Sequence, residues 1–472
     1  MKVRTRYAPS PTGYMHIGNL RTAIFEYLLA KKYNGDFILR IEDTDQERQV
    51  EGAIDFIYNT LDICGFKIDE GPNNEKGYGP YIQSQRKDIY KEYALKLVEM
   101  GKAYYCFCSE EELANMRARA DERKKPFLYD GRCSRLSKEK IEENLKNGVP
   151  YVIRQKMPKT GETLVEDVIY GKIKIDNSIL DDQILLKSDG FPTYNFANVI
   201  DDHLMEITHV IRGKEYLDQT AKYNLLYEAF GWEKPTYIHV AMVLGEDGNK
   251  LSKRNGDASF MDLYNQGYLP SAVVNYLVLL GWSPENNQEI FTMEELIENF
   301  NEKRISKSSS QYDVKKLQWF NHHYINNMND EDYLNWIKKY FTNDCTGKSE
   351  EWINRLLLIY KSHLNYGNEI NELTKKFFDT SFEIEQDAKE FMNSDPQTKE
   401  VVKVFKECIE NTTEWTVDVL ANVINEVKEK AGVKGKMLYM PIRIAASGIM
   451  HGPELADTLY LIGKDEILRR VK

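Results

Sequence analysis

The chain has 472 residues, too many for one ordinary hydrophobic core, so two to four domains are expected. Hydrophobic residues make up 42% and charged residues 29%, a balance that excludes a disordered chain. A net charge of −11 excludes a protein that coats nucleic acid by charge alone, while leaving room for a local basic groove.

The opening MKVRTRYAPS has no apolar h-region. The longest apolar run, AVVNYLVLLGW, falls well short of the roughly 18 residues of a spanning helix. A cytoplasmic protein without a membrane segment is expected. Six cysteines are too few for a disulfide scaffold, but Cys106, Cys108 and Cys133 lie close enough in sequence to raise a metal site.

Taken in chain order, KVRTRYAP alternates Val3, Thr5 and Tyr7 with Lys2, Arg4 and Arg6, as a strand does. Pro9, Pro11 and Gly13 break it. Leu20, Ala23, Ile24, Tyr27 and Leu28 then share one helical stripe, with Asn19 expected as N-cap and Gly35 as the stop. DFILRIEDTD follows as a buried strand ending in acids. This β–loop–α–β order predicts a parallel sheet. The chain reads as mainly helical from Gln85 to about Gly101, and then as short mixed elements to about 190. QILLKSDGFPTYNFANV reads as two strands joined at Asp189-Gly190. EITHVIRG is a further strand, YLDQTAKYNLLYEAFGW a helix, and YIHVAMVLGEDGNKLSKRNGD a strand, a turn at Asp247-Gly248 and a lysine-rich loop. Beyond about Phe320 every segment, from EDYLNWIKKYF to VDVLANVINEVKEKAG, has helical period, which predicts an all-helical last third.

Two loops carry candidate chemistry. In an open parallel sheet, ligands bind at the carboxyl ends of the strands. The loop after the first strand enters a helix N-terminus, whose free N–H groups and positive dipole suit phosphate. Gly13 and Gly18 allow close approach, and His16 adds a side-chain donor. In the second loop, Lys250, Lys253 and Arg254 are flanked by glycines and can stabilise a departing pyrophosphate.

Together, His16-Ile17-Gly18 after the first strand and Lys250-Leu251-Ser252-Lys253-Arg254 after a late one resemble the HIGH and KMSKS motifs of class I aminoacyl-tRNA synthetases. Asn19 replaces the family's second histidine and Leu251 its methionine, departures that occur in the glutamyl and glutaminyl branch. RYAPSPTGYMHIGNLRTA, LRIEDTD, PTYNFANVIDDHLMEITHVIRGKEYL, YDVKKLQWFNHHYI and MPIRIAASGIMHGPEL extend the resemblance to bacterial-type glutamyl-tRNA synthetases over essentially the whole chain.

The resemblance implies an α/β fold: a Rossmann-type parallel-sheet catalytic domain in two halves, 1–101 and 190–255, around an inserted acceptor-binding domain at 102–189. A stem-contact region at 256–322 and an all-helical anticodon-binding domain at 323–472 complete it. It also implies ATP-dependent ligation of L-glutamate to tRNA(Glu) through a glutamyl-adenylate, with Mg²⁺ accompanying the ATP and a first step that requires bound tRNA. ATP would meet His16, Gly18, Glu215, Lys250, Ser252, Lys253 and Arg254, with His16, Lys250 and Lys253 catalytic. Glutamate would meet Arg6, Ser10, Glu42, Tyr194, Asn198 and Arg212. The chemistry agrees, since arginine forks hold carboxylates and an acid holds the ammonium. Arg40, Asp43 and Asp45 read equally well as site groups or as structural caps and ion pairs.

Some relatives bind zinc through Cys-x-Cys, a later cysteine and a histidine two residues beyond it. Cys106, Cys108 and Cys133 match, but Arg135 stands where the histidine would be, and arginine cannot ligate zinc. Two readings stand: a Zn²⁺ site completed by the Tyr129 oxygen, or three reduced thiols of a remnant site. The rivals to the main function are a glutaminyl-tRNA synthetase, disfavoured by a helical rather than β-barrel C-terminus, and a non-catalytic RNA-binding paralogue. A monomer is usual in the resembled family, and the choice between tRNA(Glu) alone and tRNA(Glu) with tRNA(Gln) is left open.

Overall fold

The computed structural model describes residues 2–13, 15–124, 126–249, 251, 259–378 and 381–471. It divides into two units, Met1–Asp262 with Val274–Asp313, and Leu263–Val273 with Val314–Lys472.

The first unit begins with β1 (Arg4–Tyr7), α1 (Ile17–Lys32) and β2 (Asp36–Leu39). β1 and β2 pair in parallel, Arg4 opposite Asp36 and Tyr7 opposite Leu39, as the β–loop–α–β pattern predicts. The helix differs in detail. It starts three residues early, because His16 is the N-cap and its Nδ1 accepts from the Gly18 N–H at 3.1 Å. At the far end Asn34, not Gly35, takes the left-handed conformation (φ 49°). Gly35 serves instead as a close approach, where a Cβ would collide with the Val3 carbonyl.

The chain continues through α2 (Ala53–Ile63) and α3 (Lys87–Glu99) into a region of short mixed elements. This region comprises β3 (Ala103–Cys106), α4 (Glu110–Glu122), α5 (Lys138–Lys146), β4 (Val152–Gln155), the hairpin of β5 (Glu162–Asp167) and β6 (Gly171–Asp176), and β7 (Ile184–Leu186). β3, β4 and β7 form an antiparallel sheet. The predicted hairpin after β7 is corrected. The turn exists, with Gly190 at φ 81° and Lys187 N–H bonded to Phe191 O, but pairing stops at the single Leu186–Pro192 bridge. The Thr193 N–H still reaches Leu185 O at 2.9 Å, and the ladder ends there because Thr193 is the N-cap of the helix that follows. TYNFANV instead opens α6 (Tyr194–Leu204), which buries Phe196, Ala197 and Ile200 against Ala94, Leu97, Ile153 and Leu185.

β8 (His209–Gly213), α7 (Thr220–Phe230) and β9 (Thr236–Val240) return the chain to the parallel layer. β8 and β9 pair in parallel, and β5 adds to the far side of β9 at Asp167–Tyr237. The Thr208 N–H bonds Arg4 O at 3.0 Å and so joins the start of β8 to β1. The carboxyl ends of β1 and β8 therefore lie side by side above α1.

The second unit contains only helices among its described residues. One core gathers Val401, Phe405, Leu420, Val427, Leu438, Ile442 and Leu459, and another gathers Tyr333, Ile337, Leu356, Leu357 and Tyr360. No helix among the described residues is long and apolar enough to cross a membrane.

Candidate active site

A cavity of about 390 Å³ opens at the carboxyl ends of β1, β8 and β9. Arg6, Ser10, His16, Gly18, Glu42, Tyr194, Arg212, Glu215 and Leu251 all line it. Asn198 does not: it lies buried one helical turn behind Tyr194, and its Nδ2 donates to the Tyr194 carbonyl at 2.9 Å. Lys250, Ser252, Lys253 and Arg254 lie outside the described residues.

His16 contributes in two ways. As N-cap it satisfies one free amide of α1. Because its Nδ1 accepts that bond, the proton of the neutral ring sits on Nε2, which makes Nε2 a donor. Gly18 protects the arrangement, since a Cβ there would sit 3.3 Å from His16 Nδ1.

Arg6 is buried at the floor. Its Nε donates to Asp202 Oδ1 at 3.0 Å and its Nη1 to Glu26 Oε1 at 3.1 Å. Arg40, fully buried, is no sheet-edge pair; it donates to the same Asp202 oxygen at 2.7 Å and to Glu42 Oε1 at 2.9 Å. Burial would raise the Asp202 carboxyl, yet Arg6 and Arg40 hold it below its ordinary range. The balance goes the other way for Glu26 and Glu42. Burial raises both, Glu26 well above the ordinary range, despite Arg6 and Arg40. Asp43 Oδ1 accepts the Ser84 N–H at 2.7 Å, Asp45 pairs with Arg48 at the surface, and neither lines the cavity.

Arg212 has neutral neighbours. Its Nε donates to His239 Nε2 at 3.1 Å and its Nη2 to Thr220 Oγ1 at 2.8 Å. The two arginines thus share a pattern: Nε and one terminal nitrogen are committed, and the other terminal nitrogen, Nη2 of Arg6 and Nη1 of Arg212, has no hydrogen bond among the described residues. Such a pair can grip two carboxylates. On α1 itself, Arg21 donates, among the described residues, only to the carbonyls of Leu280 and Ala241, and burial lowers its pKa to about 10. Glu215 folds back over Gly213, where a Cβ would overlap its carboxylate.

Sequence reasoning missed Glu26, Asp202, His239, Asp167 and Thr220. Glu26 carried a signal, as the one charged residue among the buried positions of IFEYLLA. His239 carried another, a polar residue within the buried strand YIHV.

Away from the cleft, the end of β3 and the segment before α5 gather Cys106, Cys108 and Cys133, whose sulfurs lie within 4.8 Å of one another. The Tyr129 hydroxyl sits 3.4 Å from the Cys106 sulfur and 3.3 Å from the Cys108 sulfur. Hydrogen bonding from Cys133, Tyr129 and Arg154 outweighs burial at Cys106 and holds its thiol below the ordinary range. All six cysteines are free.

Residues 2–319 match the family of tRNA synthetases class I (E and Q), catalytic domain, and residues 329–472 match an anticodon binding domain. A glutamate–tRNA ligase of Clostridium novyi (strain NT) is 50% identical, covering 100% of this chain and 97% of its own. That of Clostridium botulinum (strain Okra / Type B1) is 50% identical with the same coverage. Among solved structures, a glutamate tRNA ligase from Elizabethkingia meningosepticum, crystallised with its amino acid, superposes with a TM-score of 0.91 at 36% identity, covering 100% of this chain and 98% of that one.

Proposed function

The chain belongs to the class I tRNA synthetases of the glutamate and glutamine branch and joins glutamate to tRNA, and from that premise we propose how its residues divide the work. The observation that carries the proposal is the single cleft holding two half-committed arginines, a buried acid and the N-terminus of α1. The glutamine and non-catalytic alternatives are set aside, because full-length relatives at about half identity are glutamate enzymes.

Arg6 and Arg212 take the two carboxylates of L-glutamate through their uncommitted nitrogens. Glu42 offers its second oxygen to the ammonium, whose arrival offsets the burial that raises its pKa. Ser10 and Tyr194 complete the polar contacts, and Asn198 supports Tyr194 from behind. ATP, entering as its Mg²⁺ complex, lies over α1. There the backbone at Gly18, the Nε2–H of His16 and Glu215 orient it, with Lys250, Ser252, Lys253 and Arg254 around its phosphates.

A glutamate α-carboxylate oxygen attacks the α-phosphorus, the bond to the bridging oxygen breaks, and pyrophosphate leaves. No side-chain nucleophile takes part. Positioning and the positive potential of α1, His16 and the lysines supply the acceleration. The terminal adenosine hydroxyl of tRNA then attacks the adenylate carbonyl, releasing AMP. In this reading residues 102–189 hold the acceptor end, 256–322 contact the stem, and the helical domain from 323 reads the anticodon.

We also propose that Cys106, Cys108 and Cys133, with the Tyr129 oxygen, hold Zn²⁺. The donor set fits: three sulfurs and one oxygen converge, and the 3.6 Å between the Cys108 and Cys133 sulfurs suits two ligands of one tetrahedral ion. Its role would be to brace the insertion, since none of the four residues lines the cleft.

The test is aminoacylation with labelled glutamate, using purified tRNA(Glu) and tRNA(Gln) separately and a glutamine control. Charging of tRNA(Glu) alone marks a discriminating enzyme, and charging of both marks a non-discriminating one. Charging of neither by folded protein would overturn the reading.

A further inference from the structure

Behind Arg212 lies a buried relay. A guanidinium only donates, so His239 Nε2 must accept from Arg212 Nε. The ring proton therefore sits on Nδ1 and is donated to Asp167 Oδ2 at 2.7 Å. Asp167 is itself fixed by the N–H groups of Ile169 at 2.9 Å, Tyr170 at 2.8 Å and His239 at 3.0 Å. All three side chains are buried, on the adjacent strands β5, β9 and β8. Burial holds the imidazole below its ordinary pKa although Asp167 pulls the other way, so the ring is neutral.

The contrast with Arg6 is the point. Arg6 donates to Glu26 and to Asp202, and Asp202, held below its ordinary range by Arg6 and Arg40, answers its charge in direct contact. Among the described residues Arg212 hydrogen-bonds only neutral acceptors, the His239 imidazole and the Thr220 hydroxyl, and lies over the rings of Tyr216, Tyr223 and Tyr237 at 5.6, 4.5 and 5.5 Å; Asp167, the acid behind the imidazole, is separated from it by the ring. An acid in direct contact would fix the fork equally well but would compete with an incoming carboxylate.

We infer that Asp167 and His239 are positioning residues that, with Thr220, orient Arg212 through neutral acceptors and so reserve its charge for the side-chain carboxylate of glutamate, which sets the preference for glutamate over glutamine. The inference rests on the reading of Arg212 as a glutamate-binding residue. It is the arrangement by which a second group fixes a first without quenching it. A glutamine substrate would leave the unanswered cation facing an amide, which it holds more weakly.

The experiment compares the full-length variants His239→Glu, His239→Gln, Thr220→Val and Arg212→Ala for the KM of glutamate, the KM of ATP and the rejection of glutamine, with circular dichroism as the folding control. His239→Glu sets a carboxylate against Arg212 and should raise the glutamate KM about tenfold or more, hold the ATP KM within about twofold, and narrow the glutamate preference. His239→Gln, whose amide both accepts and donates, should recover most of that loss. Should His239→Glu not fold, Thr220→Val carries the test, with an expected rise of about threefold in the glutamate KM alone. A glutamate KM for His239→Glu within about twofold of His239→Gln, a joint rise in both KM values, or an unchanged Thr220→Val would overturn the inference while Arg212→Ala still raises the glutamate KM. If Arg212→Ala saturates normally, Arg212 is not the anchor and the inference falls with that reading.

Discussion

Asp202→Ala tests the electrostatic floor of the cleft. One carboxylate oxygen accepts from Arg6 Nε at 3.0 Å and from Arg40 Nη1 at 2.7 Å, in a cluster whose side chains are nearly free of solvent contact. Each lost bond to a charged group costs about 1.5–3 kcal/mol, which gives ~3–6 kcal/mol for the pair. Part is returned. Asp202 helps to raise the pKa of Glu26 and of Glu42, and without it both ionise more readily beside the same arginines. The expected net loss is about 3–4 kcal/mol, within the range for breaking a buried ion pair. For a unit of this size, each kcal/mol lowers the unfolding temperature by about 2 °C, so calorimetry at neutral pH should find a fall of ~6–8 °C. Arg6 is loosened in the same step, so the glutamate KM should rise while the ATP KM stays near its starting value. A fall below ~2 °C together with normal glutamate saturation would show that Asp202 does not hold the two arginines.

Glu26→Gln should stabilise the protein at pH 7–8 and do little near pH 4. The folded pKa of Glu26 is raised, so its favourable contribution is present below the unfolded value of about 4.3 and is lost as pH rises through the folded one; a pH-independent shift in unfolding temperature would contradict this. Elemental analysis should find about one zinc per chain, absent from Cys133→Ser, and a chelator should lower the unfolding temperature of the natural protein but not of the variant. Metal-free protein of unchanged stability would leave three reduced thiols as the correct reading. Lys253→Ala should cut adenylate formation by about 10² or more, measured by pyrophosphate exchange in the presence of tRNA, and a near-natural rate would remove the lysine loop from the mechanism.

The arginines show how far sequence reaches. Local order was legible: the β–loop–α–β start, the all-helical last third and the motif around His16 follow from periodicity and from residues within a turn of one another. Local reading failed where a competing local rule won. His16 displaced Asn19 as cap because its ring reaches the Gly18 amide, and Thr193 capped a helix where the Asp189-Gly190 turn had started a ladder. Arg6 and Arg212 were both identified as carboxylate grips, and sequence alone treats them as equivalent. Only the tertiary structure makes them different. Arg6 meets Asp202 from 196 positions away, and Arg212 meets an imidazole held by an acid 72 positions from it. A guanidinium has the same chemistry in both places; what a nearby carboxylate or a neutral ring does to its free charge depends on distance and burial, and those are set by which strands the sheet brings together.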